Sequence, residues 1–159
     1  NDDNDNLYKE NSKLWQHIEP YYKQIVKQLD NSNFKWLPKK YYLESAFIKR
    51  YQPQERTHLI LHNDDNCFTA NILLSDTNNF SKGGLYVFDR NQSLILEHID
   101  GLLGTKGKND FINNYPHLHI ANFNQGDVLV HPGYAYHGTL PVTKGTRYTL
   151  IFFFGKSTF

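Results

Sequence analysis

The 159-residue chain contains no methionine and a single cysteine, Cys67. One thiol excludes an internal disulfide and any zinc site built from several thiolates, while leaving the compartment open. Neither sign of charge is in excess. The 17 basic and 16 acidic residues give a net charge of +1, no electrostatic reason to expect nucleic acid or an anionic membrane as partner. No apolar run approaches the roughly 20 residues that span a bilayer, and no secretory signal pattern is present. The lack of an initiator methionine and the polar start NDDNDN predict a piece of a longer protein, with residues 1–6 a disordered linker.

Aromatic residues are plentiful: 11 Tyr, 11 Phe and 2 Trp supply large buried areas to a single domain over 7–159, although the hydrophobic fraction is only 39%. Apolar positions at Leu7, Leu14, Ile18, Tyr21, Ile25 and Leu29 recur at helical spacings. They predict supporting helices within 7–37, kinked or divided near Pro20. From residue 44 the texture changes to short β-branched and aromatic runs, at 44–51, 58–62, 68–74, 84–88, 94–98, 117–121, 127–131 and 147–154. The breaks between them carry turn residues such as Gln52-Pro53, Gly83-Gly84 and Pro132-Gly133. Helices followed by about eight short strands predict a mainly β fold, a double-sheet jelly-roll barrel over 44–154. The polar stretch 99–117 reads as an insertion loop, equally a solvated connector or a substrate lid.

Eight histidines offer many possible ligand sets. A redox metal that binds O2 and a co-substrate needs open coordination positions, and two imidazoles with one carboxylate leave three. His62-Asn63-Asp64, at the end of a predicted strand, offers one of each, two residues apart. The third ligand must come from a distant strand. His137 stands ten residues before Arg147, in HGTLPVTKGTRYTLIFFF. A guanidinium inside an apolar barrel is costly without an anion, and a dicarboxylate would pair with it through two parallel hydrogen bonds. His131 competes with His137 for the metal, the pair His117 and His119 offers a cupin-like alternative, and Asp65 competes with Asp64.

Three stretches together, FIKRYQPQERTHLILHNDDNCFTANILLSD, SKGGLYVFD and GDVLVHPGYAYHGTLPVTKGTRYTLIFFF, resemble the catalytic domain shared by collagen lysyl hydroxylases and prolyl 4-hydroxylases. The resemblance runs from about residue 44 to residue 154. It implies a double-stranded β-helix, with Fe(II) held by His62, Asp64 and His137 and 2-oxoglutarate anchored by Arg147. It also implies consumption of O2, support of turnover by ascorbate, and hydroxylation of a C–H bond with release of succinate and CO2. The substrate it suggests is a lysyl or prolyl residue of a protein or peptide. A free amino acid, a small metabolite, an alkylated base or a catalytically silent jelly-roll module are the alternatives. Tyr51, Asn71 and Thr149, polar groups in apolar strands, are candidates to face the co-substrate. Cys67 reads as a small core filler, Gly83-Gly84 as a site of close backbone approach, and Asn91-Gln92-Ser93 as a glycosylation sequon. The segment from Arg90 to Gln125 departs from the lysyl hydroxylase pattern and puts the substrate in question.

Overall fold

The computed structural model describes residues 7–88, 118–121 and 123–157. Helix α1 (Leu7–Glu10) is followed by α2 (Ser12–Asp30), then strands β1 (Tyr41–Tyr51), β2 (Leu59–His62), β3 (Phe68–Leu73), β4 (Phe80–Lys82) and β5 (Leu85–Phe88). After the insertion come β6 (Leu118–Ala121), β7 (Val128–Pro132), β8 (His137–Thr139), β9 (Val142–Gly145) and β10 (Arg147–Lys156). The expected strand at 94–98, the linker at 1–6, the 99–117 insertion and the sequon lie outside the described residues.

Two antiparallel four-stranded sheets form the barrel. The larger runs β1-β10-β3-β7 and the smaller β2-β8-β5-β6, with β4 and β9 paired as a separate ribbon. Interleaving of strands distant in sequence is the jelly-roll pattern that the strand spacing predicted. Among the described residues, no helix is long and apolar enough to cross a membrane.

The helical expectations need correction. The break falls at Asn11, whose side chain accepts a hydrogen bond from the Leu14 N–H (3.0 Å) and caps α2. Pro20 lies inside α2 rather than at a break. It sits on the exposed face, where water can satisfy the Gln16 carbonyl that loses its donor. Helix ends at Asp30, so 31–37 is not helical. The buried face is the expected one at Leu7, Leu14, Ile18, Ile25 and Leu29; Tyr21 departs from it, being exposed, while Trp15 and Tyr22 join that face against the large sheet.

Strands β3 and β10 lie at the centre of that sheet with both faces covered, which is why all six residues of β3 are buried. Their alternation divides the labour. Phe68, Ala70, Ile72, Leu150, Phe152 and Phe154 face the helix, where they form one cluster with Ile18, Ile25 and Leu29. Tyr22 lies edge-on to Phe152 at 5.6 Å, and Phe68 stacks on Phe154 at 4.4 Å and 8°. Thr69, Asn71, Arg147, Thr149 and Ile151 point the other way, into the barrel. Cys67, as expected, fills a half-buried position beside the helix-side cluster.

Phe154 is fully buried within this aromatic cluster. Phe154→Ala is expected to cost about 3–5 kcal/mol of stability, read as a lowered urea midpoint with unchanged m-value.

Candidate metal centre and co-substrate pocket

The pairing of β2 with β8 sets His62 directly opposite His137. Residues opposite each other on neighbouring strands share a face, and here the two imidazole rings lie 4.3 Å apart. Strand β8 was not among the strands expected from sequence, because three residues with Gly138 between His137 and Thr139 carry little strand signal. Asp64 lies past the end of β2. Its N–H donates to the Gly133 carbonyl (2.9 Å), and the Gly133 N–H donates to the Cys67 carbonyl (2.9 Å). A Cβ at Gly133 would collide with the Asn66 backbone, so only glycine permits this close approach.

The carboxylate bridges the two rings. Oδ1 lies 3.5 Å from His62 Nε2 and Oδ2 lies 3.6 Å from His137 Nε2. All three ligand atoms fall within 4.8 Å of one another. Facial ligands of a first-row divalent ion, each about 2.1 Å from it, stand about 3 Å apart at right angles, so the cluster is close to that spacing. Each imidazole is turned for the task. His62 Nδ1–H donates to the Ile60 carbonyl (2.8 Å) and His137 Nδ1–H to the Ala135 carbonyl (2.9 Å), which leaves both Nε2 lone pairs facing Asp64.

A positioning chain behind Asp64 was missed by the sequence reading. The Asn66 amide donates to Thr69 Oγ1 (2.9 Å), and the Thr69 hydroxyl donates to Asp64 Oδ2 (2.5 Å). Asn66 and Thr69 lie two and five residues past Asp64, and inward-facing threonine in an apolar strand was the available signal.

Electrostatics follow the geometry. Burial alone would raise the Asp64 carboxyl, but the hydrogen bond with His62, the charge of His137 and the Thr69 hydroxyl hold it below its ordinary value. For His62, burial pulls downward and is outweighed by the Asp64 hydrogen bond and the Ile60 carbonyl, so the net shift is upward. Burial, with His131 alongside, pushes His137 down to about 4.

The competing ligands separate clearly. Asp65 is exposed. His119 is exposed on β6 opposite Val87, and His117 lies outside the described residues. His131 is buried, and both its ring nitrogens are engaged, Nδ1 with the Pro132 carbonyl (3.0 Å) and Nε2 with the Asn71 amide (3.2 Å).

Arg147 is 2% exposed, and among the described residues no ion pair includes it. Burial lowers its pKa, opposed by Tyr51. Tyr51 is its register partner across β1 and β10, with the guanidinium carbon 5.5 Å from the ring centroid, and Phe123 lies 5.9 Å away on another side. Gly83, at φ +76°, admits the arginine stem: a Cβ there would lie 3.3 Å from Arg147 Cδ and 2.6 Å from Val142 Cγ2. Burial raises the Tyr51 phenol, against a hydrogen bond with Thr139 and the Arg147 charge. Thr139 is two residues beyond His137 on β8, a rise of roughly 7 Å. The arginine pocket is thus one inward-facing step from the imidazole cluster. Thr149 shares Arg147's face of β10, and its buried Oγ1 has no hydrogen-bond partner among the described residues. Asn71 faces the same cavity, hydrogen-bonded to His131.

Set beside known proteins, the chain is 32% identical over 113 residues to procollagen-lysine,2-oxoglutarate 5-dioxygenase 1 of Gallus gallus. It is 31% identical over 111 residues to the Homo sapiens protein of that name. The chain belongs to the 2-oxoglutarate/Fe(II) dioxygenase family of lysyl and prolyl hydroxylases. These alignments take in 69% and 68% of this chain but only 12% of each relative. No protein-family model matches. Solved structures share the fold at low identity. A Pseudomonas putida prolyl-4-hydroxylase aligns at TM-score 0.52 and 15% identity, covering 86% of this chain and 62% of that one. HygX from Streptomyces hygroscopicus, solved with nickel and 2-oxoglutarate bound, aligns at 0.54 and 19%, covering 75% and 57%.

Thr69→Val, which keeps the shape and removes the donor to Asp64, is expected to weaken divalent-metal affinity roughly 10–100-fold, measured by competition with a chelator. Metal binding must also displace the proton that His62 holds to a higher pH than a free imidazole does. Below the His62 pKa, affinity should therefore fall about tenfold per pH unit, a one-proton slope. His137, neutral above about 4, adds nothing to that slope near neutrality. Co(II) titrations across a pH series read the slope, and a two-proton dependence near pH 6 would contradict the depressed His137.

Proposed function

We propose that this chain is the catalytic domain of an Fe(II)- and 2-oxoglutarate-dependent hydroxylase. His62, Asp64 and His137 hold the metal, and Arg147 holds the distal carboxylate of the co-substrate. The observation that carries this reading is a buried guanidinium, with no ion pair among the described residues, one inward step from a His–Asp–His cluster. A buried cation of this kind calls for an anion, and the orphaned Thr149 hydroxyl beside it is a ready donor to a carboxylate. Tyr51 completes that end of the pocket, and Asn71 lines its wall.

Fe(II), when bound, would supply the O2 chemistry that couples oxidation of 2-oxoglutarate to hydroxylation of a C–H bond. The protein's share is orientation and exclusion of water. The paired Nδ1–H bonds to Ile60 and Ala135 keep the imidazoles aimed, and Thr69 holds the carboxylate. Exposure is uneven around the cluster: the His62 side chain is 31% accessible, against 5% for Asp64 and 6% for His137. The approach to the metal is therefore on the His62 side, where Ile60, two residues back on β2, is exposed. Such an open, partly apolar rim suits an extended peptide, and the procollagen-lysine relatives support a lysyl or prolyl side chain of a protein as the substrate.

Anaerobic titration with Fe(II) and 2-oxoglutarate tests the reading through the visible charge-transfer band of the chelated pair. Both ligands should be required. Arg147→Met should weaken 2-oxoglutarate about 100-fold while metal binding persists. Absence of the band in folded, iron-loaded protein would reject the assignment. Succinate release with lysine- and proline-containing peptides, and gain of one oxygen by the peptide, then distinguish the substrates.

A further inference from the structure

His137 has an imidazole neighbour on either side at nearly equal distance: His62 at 4.3 Å and His131 at 4.1 Å between ring centroids. Only the first belongs to the convergent donor cluster. The difference lies in what each Nε2 meets. On both rings Nδ1 faces a carbonyl, which can only accept, so Nδ1 carries the proton and Nε2 the lone pair. For His62 that lone pair faces the Asp64 side of the cluster. For His131 it accepts a hydrogen bond from the Asn71 amide at 3.2 Å.

The register makes this engagement specific. Thr69 stands opposite His131 on the β3–β7 ladder, with Asn71 one inward step along opposite Leu129. Thr69, the nearer residue, gives its hydroxyl to Asp64 instead. Adjacent inward positions of β3 thus handle two potential ligands in opposite ways: Thr69 aims a carboxylate at the cluster, and Asn71 ties an imidazole back from it. Both histidine and asparagine are buried, at 3% and 5% exposure, so the bond is shielded from competing water.

We propose that Asn71 withholds His131 from the metal, keeping the centre at three protein ligands. The inference rests on the metal assignment above. Three ligands of an octahedral ion leave three positions, enough for a two-atom chelator and O2. A third imidazole would leave two, and the chelator alone would fill them. Asn71 is therefore a positioning residue for the open coordination sphere.

The test counts imidazoles directly, with Cu(II) as the probe and nitrogen couplings read by continuous-wave and pulsed electron paramagnetic resonance. The unaltered chain should show two coupled imidazoles, and Asn71→Leu, similar in shape but without the donor, should show three. Adding His131→Phe to Asn71→Leu should return the count to two. If leucine prevents folding, Asn71→Ala supplies the same deletion with less bulk. Two imidazoles in the folded Asn71 variant would overturn the proposal while leaving the metal site intact. Fewer than two in the unaltered chain would overturn the metal site itself, and the proposal with it.

Discussion

The packing of α2 onto the outer face of β3 and β10 is the contact on which the site depends. A jelly-roll sheet whose inner face carries threonine, asparagine, histidine and arginine cannot draw its stability from that face alone. The outer face supplies it. Phe152 and Phe154, packed against Trp15 and Tyr22 of the helix, and Phe68, stacked on Phe154, bury large areas in mutually tilted and stacked rings. With the central strands secured from outside, their inward positions can hold polar groups whose arrangement is set by chemistry.

Those polar groups are not scattered. The groups that aim the cluster have defined partners: Thr69 with Asp64, Asn66 with Thr69, His131 with Asn71, and the Nδ1 atoms of His62 and His137 with backbone carbonyls. Such satisfaction lowers the cost of burial and fixes orientation together. Arg147 and the Thr149 hydroxyl stand apart in the same cavity: among the described residues the buried guanidinium has no ion pair and the hydroxyl no hydrogen-bond partner. A folded chain bears that cost where a ligand relieves it, which is why the arginine end reads as a binding pocket and the metal end as a preorganised cluster.

Distance along the chain is bridged by register. His62 and His137 are 75 positions apart but meet as a cross-strand pair, and Tyr51 meets Arg147 in the same way across β1 and β10. In each case one residue of slippage would turn the side chain to the opposite face. Gly133 and Gly83 protect these registers by allowing the backbone of the metal loop and the arginine stem to pack where a Cβ would collide.

The fold class, and the three side chains His62, Asp64 and His137 that the structure clusters, were legible in the sequence because both rest on local pattern. Period-two runs mark strands, and the strand-end His62-x-Asp64 and the ten-residue step from His137 to Arg147 are short-range spacings. What lay beyond reach was decided by contacts between elements. Tyr21 and Tyr22 are equally apolar neighbours, and only docking on Phe152 and Phe154 partly buried the second. Pro20 breaks helices in isolation, yet α2 continues through it because its exposed side leaves the lost donor to water. The three-residue strand β8 exists because β2 and β5 flank it. In the letters, only the ten-residue step to Arg147 favours His137 over His131 as a ligand. The structure adds the partner each Nε2 meets, Asn71 for His131 and Asp64 for His137, and partners on different strands are assigned only when the sheets close.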